Sequence, residues 1–180
     1  AWLFLTIGIV LGGWWAYREL GWGGFWAWDP VENASLMPWL ISTAFFHSAM
    51  VEERRGLLRL WNVALIMAAF LLTILGTFIV RSGILQSVHA FAESDVGPWF
   101  LVFLGLLLAG CLYLIAARYD LLVDRGALAA FSKEGSFLVN NLVLVGLGLT
   151  VFLGTVFPLL ARLRGSELTT IRTPSPVCLT

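Results

Sequence analysis

The chain has 180 residues, of which 59% are hydrophobic and 12% are charged, and its formal net charge is zero. Soluble domains carry about 25% charged residues, so this composition excludes an ordinary soluble domain and indicates a protein solvated by lipid. Because no basic stripe accompanies the balanced charge, we expect no nucleic-acid partner.

Long apolar runs follow one another along most of the chain. A membrane-spanning helix needs about 20 mainly apolar residues. Segments close to that requirement lie at 1–17, 34–51, 60–80, 99–117 and 137–160. The sequence therefore predicts an all-α fold, a polytopic membrane helical bundle of about five transmembrane helices.

Basic residues in short loops predict the orientation of these spans, since such loops are enriched in Lys and Arg on the cytoplasmic side. Loops 52–59 and 118–133 each hold three basic residues, whereas segments 18–36 and 81–98 hold one each. We expect the first pair of loops in the cytoplasm and the second pair on the outer face. The three arginines of the tail, 161–180, argue weakly for the opposite orientation.

The first outward segment contains an unusual Trp-rich stretch, residues 21–40. Its glycines and prolines interrupt regular structure, and a Gly-rich backbone allows a planar ligand to approach closely. Aromatic faces can stack on such a ligand or clamp its edge, and haem is flat and apolar. The rings belong to Trp22, Phe25, Trp26, Trp28 and Trp39. The alternative is an aromatic belt or an interfacial amphipathic helix.

Asp29 stands directly before Pro30 at the start of the next predicted helix. This position is typical of a helix cap, because an Asp side chain accepts a bond from a free backbone N–H and proline suits the first helical turn. Capping is the primary expectation for Asp29, with Glu32 and Asn33 either extending the cap or pointing at a ligand.

The chain has two histidines, His47 and His89. His47 lies in the second predicted span, where an ionisable residue is costly and usually functional. Neutral imidazole is a common axial ligand of haem iron, although a hydrogen bond to a neighbouring helix would also explain it. His89 lies in the outward segment 81–98, where a solvated surface histidine is the ordinary alternative.

The run from Trp22 to Ser35, Trp-Gly-Gly-Phe-Trp-Ala-Trp-Asp-Pro-Val-Glu-Asn-Ala-Ser, resembles the WWD signature of membrane haem-handling proteins. Its continuation through Met37-Pro38-Trp39 resembles the CcmF branch of cytochrome c biogenesis more than the CcmC or CcsA branches. The resemblance covers about residues 1–160 as part of a CcmF-like transmembrane domain, with the WWD segment at 21–40. It leaves 161–180 unassigned, and the chain is interpreted as a piece of a longer protein.

The resemblance implies a haem-attachment subunit, of the cytochrome c haem lyase type, in the bacterial inner membrane. The WWD segment would face the periplasm. A haem chaperone would deliver haem, and apocytochrome c thiols would add to the haem vinyl groups to form thioethers. Other maturation-complex subunits and membrane lipid are the remaining partners that it implies. No residue stands out as an acid–base catalyst, so we expect positioning to supply the rate.

The resemblance also implies two haem groups, both of them haem b. His89 matches one of the outward histidines that hold the delivered haem at the WWD segment, beside Trp22, Trp26, Trp28, Trp39 and Asp29. His47 matches one axial ligand of a second, membrane-embedded haem. Axial imidazoles approach iron from opposite faces, and His47 and His89 are predicted near opposite membrane faces. They are therefore not expected to share one iron.

Arg81 closes the third predicted span on the outer side. Its guanidinium matches the geometry of a haem propionate, and an anchor at the membrane interface is the alternative. Arg18 is a weaker candidate for the same contact.

Rival functions remain open from the sequence. One is a haem exporter or carrier of the CcmC or CcsA type, against which the Asp-Pro-Val-Glu-Asn-Ala-Ser run argues. Another is a b-type electron-transfer membrane subunit, against which the outward Trp cluster beside His89 argues. A nitrite-reductase-specific relative of the CcmF branch is a third.

Overall fold

The computed structural model describes residues 1–21, 23–82, 97–123 and 132–163. These residues form helices and connecting turns, and no strand occurs among them, which confirms the all-α prediction. The helices are α1 (Trp2–Glu19), α2 (Pro30–Arg55), α3 (Arg59–Arg81), α4 (Gly97–Ala117), α5 (Tyr119–Leu122) and α6 (Lys133–Leu163).

Helix α2 is central, and α3 packs antiparallel against it. Near one end, a Cβ added to Gly76 of α3 would lie 3.2 Å from the Ala34 carbonyl oxygen of α2. Toward the other end, Ile41 and Ala44 of α2 form a buried cluster with Leu65 of α3. Small residues at such crossings let membrane helices approach closely. Van der Waals packing of the two backbones then stabilises the pair, since in lipid no hydrophobic effect drives helices together.

Helix α6 also runs antiparallel to α2. Asn33 of α2 bonds to Thr155 of α6 at one end of the pair. At the other end, Arg55 of α2 forms a 2.9 Å ion pair with Glu134 of α6. The two contacts place the C-terminal part of α6 beside the start of α2. Helix α6 continues to Leu163, slightly past the predicted boundary at residue 160.

Four described helices are long and apolar enough to cross a membrane: α2, α3, α4 and residues 133–158 of α6. This confirms a multi-pass membrane bundle. The first predicted span, 1–17, does form α1, but α1 is not among the four because its final turn carries Arg18 and Glu19. The membrane-capable helices in the described ranges thus number one fewer than the five apolar segments of the sequence.

Both predicted outward segments have their described flanks at the same end of the bundle. The start of α2 lies there, beside the end of α3, because of the antiparallel packing. The start of α4 adjoins it, since a Cβ on Gly97 would lie 3.3 Å from the Ser82 Cβ. Arg54, Arg55 and Arg59 lie at the opposite end, where α2 ends and α3 begins.

Candidate functional site

The loop between α1 and α2 holds a tryptophan in a costly backbone conformation. Trp28 has φ of 58°, in the left-handed region that bulky residues rarely adopt. Such a residue costs on the order of 1–3 kcal/mol and persists only where its surroundings hold it. The conformation therefore requires specific support from neighbouring residues.

Asn33 gives part of that support. Its Nδ2 donates to the Trp28 carbonyl oxygen at 3.2 Å and to the Thr155 hydroxyl oxygen at 3.1 Å. The Asn33 side chain is buried, with 7% of its surface exposed. Because a buried amide must find partners, Asn33 ties the Trp28 backbone to both α2 and α6.

Asp29 and Glu32 hold the other side of the loop. Asp29 is the N-cap of α2 and forms a capping box with Glu32. The Glu32 carboxylate also accepts from the Ala27 backbone N–H at 2.8 Å. Asp29 thus has the capping role that its position before Pro30 predicted. Glu32 points back to the loop backbone, so both acidic residues shape the loop.

Three of the predicted tryptophans line one recess between the loop, α1 and α2. Trp26, Trp28 and Trp39 surround a cavity of about 430 Å³ together with Thr6, Ile9, Val10 and Leu36. We call this cavity the indole recess. The rings of Trp26 and Trp28 meet edge-to-face, with centroids 6.3 Å apart and planes at 83°. Trp28 is 65% exposed, so the recess is open beside its ring. Trp22 lies outside the described residues.

Trp39 also joins α1 to α2. Its Nε1 donates to the Thr6 hydroxyl oxygen at 2.8 Å, and its ring stacks on Trp2 with centroids 6.2 Å apart. Trp2 in turn donates from Nε1 to the Thr43 hydroxyl oxygen at 2.9 Å. The wall that Trp39 contributes to the indole recess is therefore fixed by the α1–α2 contact.

Trp26 separates the indole recess from a second cavity of about 350 Å³, which Gly8, Gly12 and Gly13 of α1 help to line. The glycine face of α1 lets the loop lie close, because a Cβ on Gly13 would be only 3.0 Å from the Phe25 carbonyl oxygen. Trp26 Nε1 is buried and has no hydrogen-bond partner among the described residues. It is a donor available to an acceptor that this part of the chain does not supply.

Arg81 lies at the same end of the bundle but does not line the indole recess. It lines a groove of about 700 Å³ between α1, α2 and α3. Val31 and Ser35 border both this groove and the cavity beside Trp26. The structure thus brings Trp26, Trp28 and Trp39 together and places Arg81 in a groove that borders the second cavity and shares no lining residue with the indole recess. His89 lies outside the described residues.

His47 belongs to a separate place on α2. It follows Pro30 by 17 residues in the numbering of the chain, so it lies about 25 Å further along the helix. Its Nδ1 is 3.0 Å from Asn140 Nδ2 of α6. Its ring stacks on Phe137, with centroids 6.0 Å apart and planes at 25°. The imidazole is half-buried, and Nε2 has no hydrogen-bond partner among the described residues.

Sequence reasoning missed three residues that organise these places: Thr6, Asn140 and Thr155. Each is a polar residue within a largely apolar helix. That is the available signal, since polar side chains within membrane helices are costly and tend to find partners. The sequence did not reveal which partner each one has.

Comparisons with known proteins point to a single family. A family model described as "Cytochrome C assembly protein" matches residues 1–86, which include the indole recess and His47. The chain is 54% identical over 170 residues to the cytochrome c-type biogenesis protein CcmF of Pseudomonas aeruginosa, covering 93% of this chain and 26% of the relative. It is 48% identical over 162 residues to the cytochrome c-type biogenesis protein NrfE of Haemophilus influenzae, covering 89% and 26% respectively.

A solved structure titled "Cytochrome c Heme Lyase CcmF" also matches, with a TM-score of 0.71 and 42% identity. That match covers 89% of this chain and 24% of the solved one. The chain spans about a quarter of the length of the curated relatives it matches. Because sequence identity and fold agree over nearly all of its length, the chain belongs to the CcmF family of cytochrome c-type biogenesis proteins.

Proposed function

We propose that this chain is part of a haem-attachment subunit in c-type cytochrome maturation, and that the indole recess holds the substrate haem. The observation that carries the proposal is the convergence of Trp26, Trp28 and Trp39 on one open cavity. The name of the solved relative, a cytochrome c haem lyase, supports the reaction class.

The residues of the recess suit a porphyrin. Aromatic rings offer faces and edges to a flat apolar ligand. The buried Trp26 N–H adds a donor that has no partner among the described residues. His89, outside those residues, would supply an iron ligand, and Arg81, in the groove beside the second cavity, would pair with a propionate.

The reaction joins each apocytochrome thiol to a haem vinyl group. The S–H bond breaks, sulfur bonds to one vinyl carbon and hydrogen to the other, so atoms balance without net oxidation. The acidic residues nearest the recess, Asp29 and Glu32, are engaged in shaping the start of α2. The role of this chain is therefore to hold haem in place while the thiols approach, and proximity supplies the rate.

We place the chain in the bacterial inner membrane with the indole recess toward the periplasm. Support comes from the basic residues Arg54, Arg55 and Arg59 at the opposite end, as the positive-inside tendency requires of a cytoplasmic end. The partners are a haem chaperone and apocytochrome c at the periplasmic end, together with other subunits of the maturation complex.

His47 would be a ligand of a second, membrane-embedded haem b. Its half-buried imidazole lies between apolar helices, and its Nε2 has no other partner among the described residues. A second ligand would come from outside the described residues. When bound, this haem supplies a one-electron carrier for keeping the delivered iron ferrous.

The first test is absorption spectroscopy of the full-length protein with each histidine replaced. We expect His89→Ala to lose the delivered haem and keep the membrane b haem. We expect His47→Ala to lose the b-type absorbance. Met50→Leu is the matched control, since Met50 is an exposed side chain on the same helix as His47. Unchanged loading of both haems in both alanine variants would refute the assignment.

The second test separates attachment from carriage. The haem-loaded protein is mixed with a reduced apocytochrome that carries a Cys-Xaa-Xaa-Cys-His motif, and covalent haem is measured after denaturation. Thioether product supports the proposal. Haem transfer without covalent product would favour a carrier of the CcmC or CcsA type.

A further inference from the structure

We infer that Asn140 is a positioning residue that sets the orientation and tautomer of His47 for iron ligation. The inference rests on the proposed membrane haem and extends it to a residue on a different helix. Asn140 would not touch iron, since its amide meets the far nitrogen of the imidazole, Nδ1.

Two side chains of α6 restrict the orientation of the His47 ring. Phe137 and Asn140 are three residues apart on α6 and so share one helix face. Phe137 lies nearly parallel to the imidazole at 25°, which constrains the ring plane. The Asn140 amide lies 3.0 Å from Nδ1, which constrains rotation within that plane. Together they direct Nε2 away from α6.

The chemistry of the amide decides which nitrogen carries the proton. A neutral imidazole has one N–H, and only the nitrogen without it can bind a metal. If the amide nitrogen donates to Nδ1, the proton lies on Nε2 and ligation is blocked. If the amide turns by half a rotation, Oδ1 accepts from Nδ1–H and leaves the Nε2 lone pair free.

Both orientations use the same heavy-atom positions, because the amide oxygen and nitrogen of asparagine are nearly identical in shape. Iron at Nε2 therefore selects the orientation in which Oδ1 accepts. An acceptor on the distal N–H of a ligating histidine fixes its tautomer and raises its basicity. A more basic ligand stabilises ferric over ferrous iron, so Asn140 lowers the reduction potential of the membrane haem.

The test compares Asn140→Asp and Asn140→Leu in the full-length protein. Aspartate has the shape of asparagine and, when ionised, offers only acceptor oxygens, so it keeps the proposed role. Leucine removes the acceptor. Val139→Leu is the matched control, since Val139 is an exposed neighbour on α6. The measurements are the haem content, the midpoint potential of the b haem and its affinity by competition with a haem scavenger.

We expect N140L to weaken haem affinity about 10- to 100-fold and to raise the midpoint potential. We expect N140D to retain the haem with a potential at or below that of the wild type, and V139L to match the wild type. If N140L does not accumulate, N140D decides alone: haem retained at an equal or lower potential supports the inference, and haem lost overturns it.

A purely structural role for Asn140 gives a different result. In that case N140D and N140L lower thermal stability while affinity and potential stay unchanged, and the inference is wrong. The proposed function fails separately, if His47→Ala retains the b-type spectrum. Loss of the spectrum in His47→Ala together with unchanged Asn140 variants would remove only the inference.

Discussion

The two ends of α2 carry the two proposed haem sites, and these sites are built in different ways. At its start, the site is a loop with irregular backbone, and the polar side chains Asp29, Glu32 and Asn33 hold that loop in shape. Near its other end, the site is a single imidazole on a regular helix, bracketed by Phe137 and Asn140. One site depends on backbone shape and the other on side-chain orientation.

This difference teaches where each site is vulnerable. The loop carries the cost of the left-handed Trp28, so losing its hydrogen bonds should alter the position of several rings at once. The imidazole lies on a helix whose backbone hydrogen bonds around His47 do not involve this side chain. Changes around His47 should therefore alter ligation while leaving the bundle stable.

The largest stability effect is expected for Asn33→Ala. The change leaves the Trp28 carbonyl and the Thr155 hydroxyl without their donor, which should cost about 1–3 kcal/mol of unfolding free energy. We also expect haem loading at the indole recess to fall while the b-type absorbance remains. Thermal unfolding in detergent and absorption spectra measure both effects.

Two substitutions of Thr155, the acceptor of the Asn33 hydrogen bond, test the same prediction. Thr155→Ser keeps the hydroxyl that accepts from Asn33, so it should resemble the wild type. Thr155→Val removes the hydroxyl and should reproduce part of the Asn33→Ala effect, with less than additive loss in the double variant. Full additivity would show that the two residues do not act on the loop together.

An intermediate effect on stability is expected at Trp28, where substitutions can separate the contribution of the ring from that of the backbone conformation. Trp28→Gly keeps a residue that tolerates positive φ, and the ring it removes is mostly exposed. We expect unfolding free energy to change by less than about 1 kcal/mol, with clear loss of haem at the indole recess. Trp28→Val should be less stable than Trp28→Gly, since a β-branched residue is strained there. Equal haem loading in Trp28→Gly and the wild type would contradict a role for this ring.

The smallest effect is expected for Arg55→Ala at the far end of α2. Its partner Glu134 is 2.9 Å away, but the Arg55 side chain is 62% exposed. Exposed ion pairs contribute little because water screens them, so unfolding should shift only slightly and both haem spectra should stay unchanged. Arg54→Ala is the control on the adjacent residue. A loss of b-type absorbance in Arg55→Ala alone would show that the His47 region depends on this contact.

The sequence by itself determined the class of the protein and the start of α2. Apolar length predicted the membrane helices, because lipid requires long segments whose backbone bonds are satisfied internally. Asp29 before Pro30 predicted the helix start, because capping and proline preference act over a few neighbouring residues. The Trp-rich run predicted three residues that do line one recess.

Only the tertiary structure decided which distant residues support these elements. Asn33 meets Thr155 across 122 residues of chain, and His47 meets Asn140 across 93. The structure also placed Arg81 in a separate groove, which borders the second cavity and shares no lining residue with the indole recess. These pairings depend on how antiparallel helices are offset and rotated against each other, and that is set by packing of whole surfaces, which no local pattern encodes.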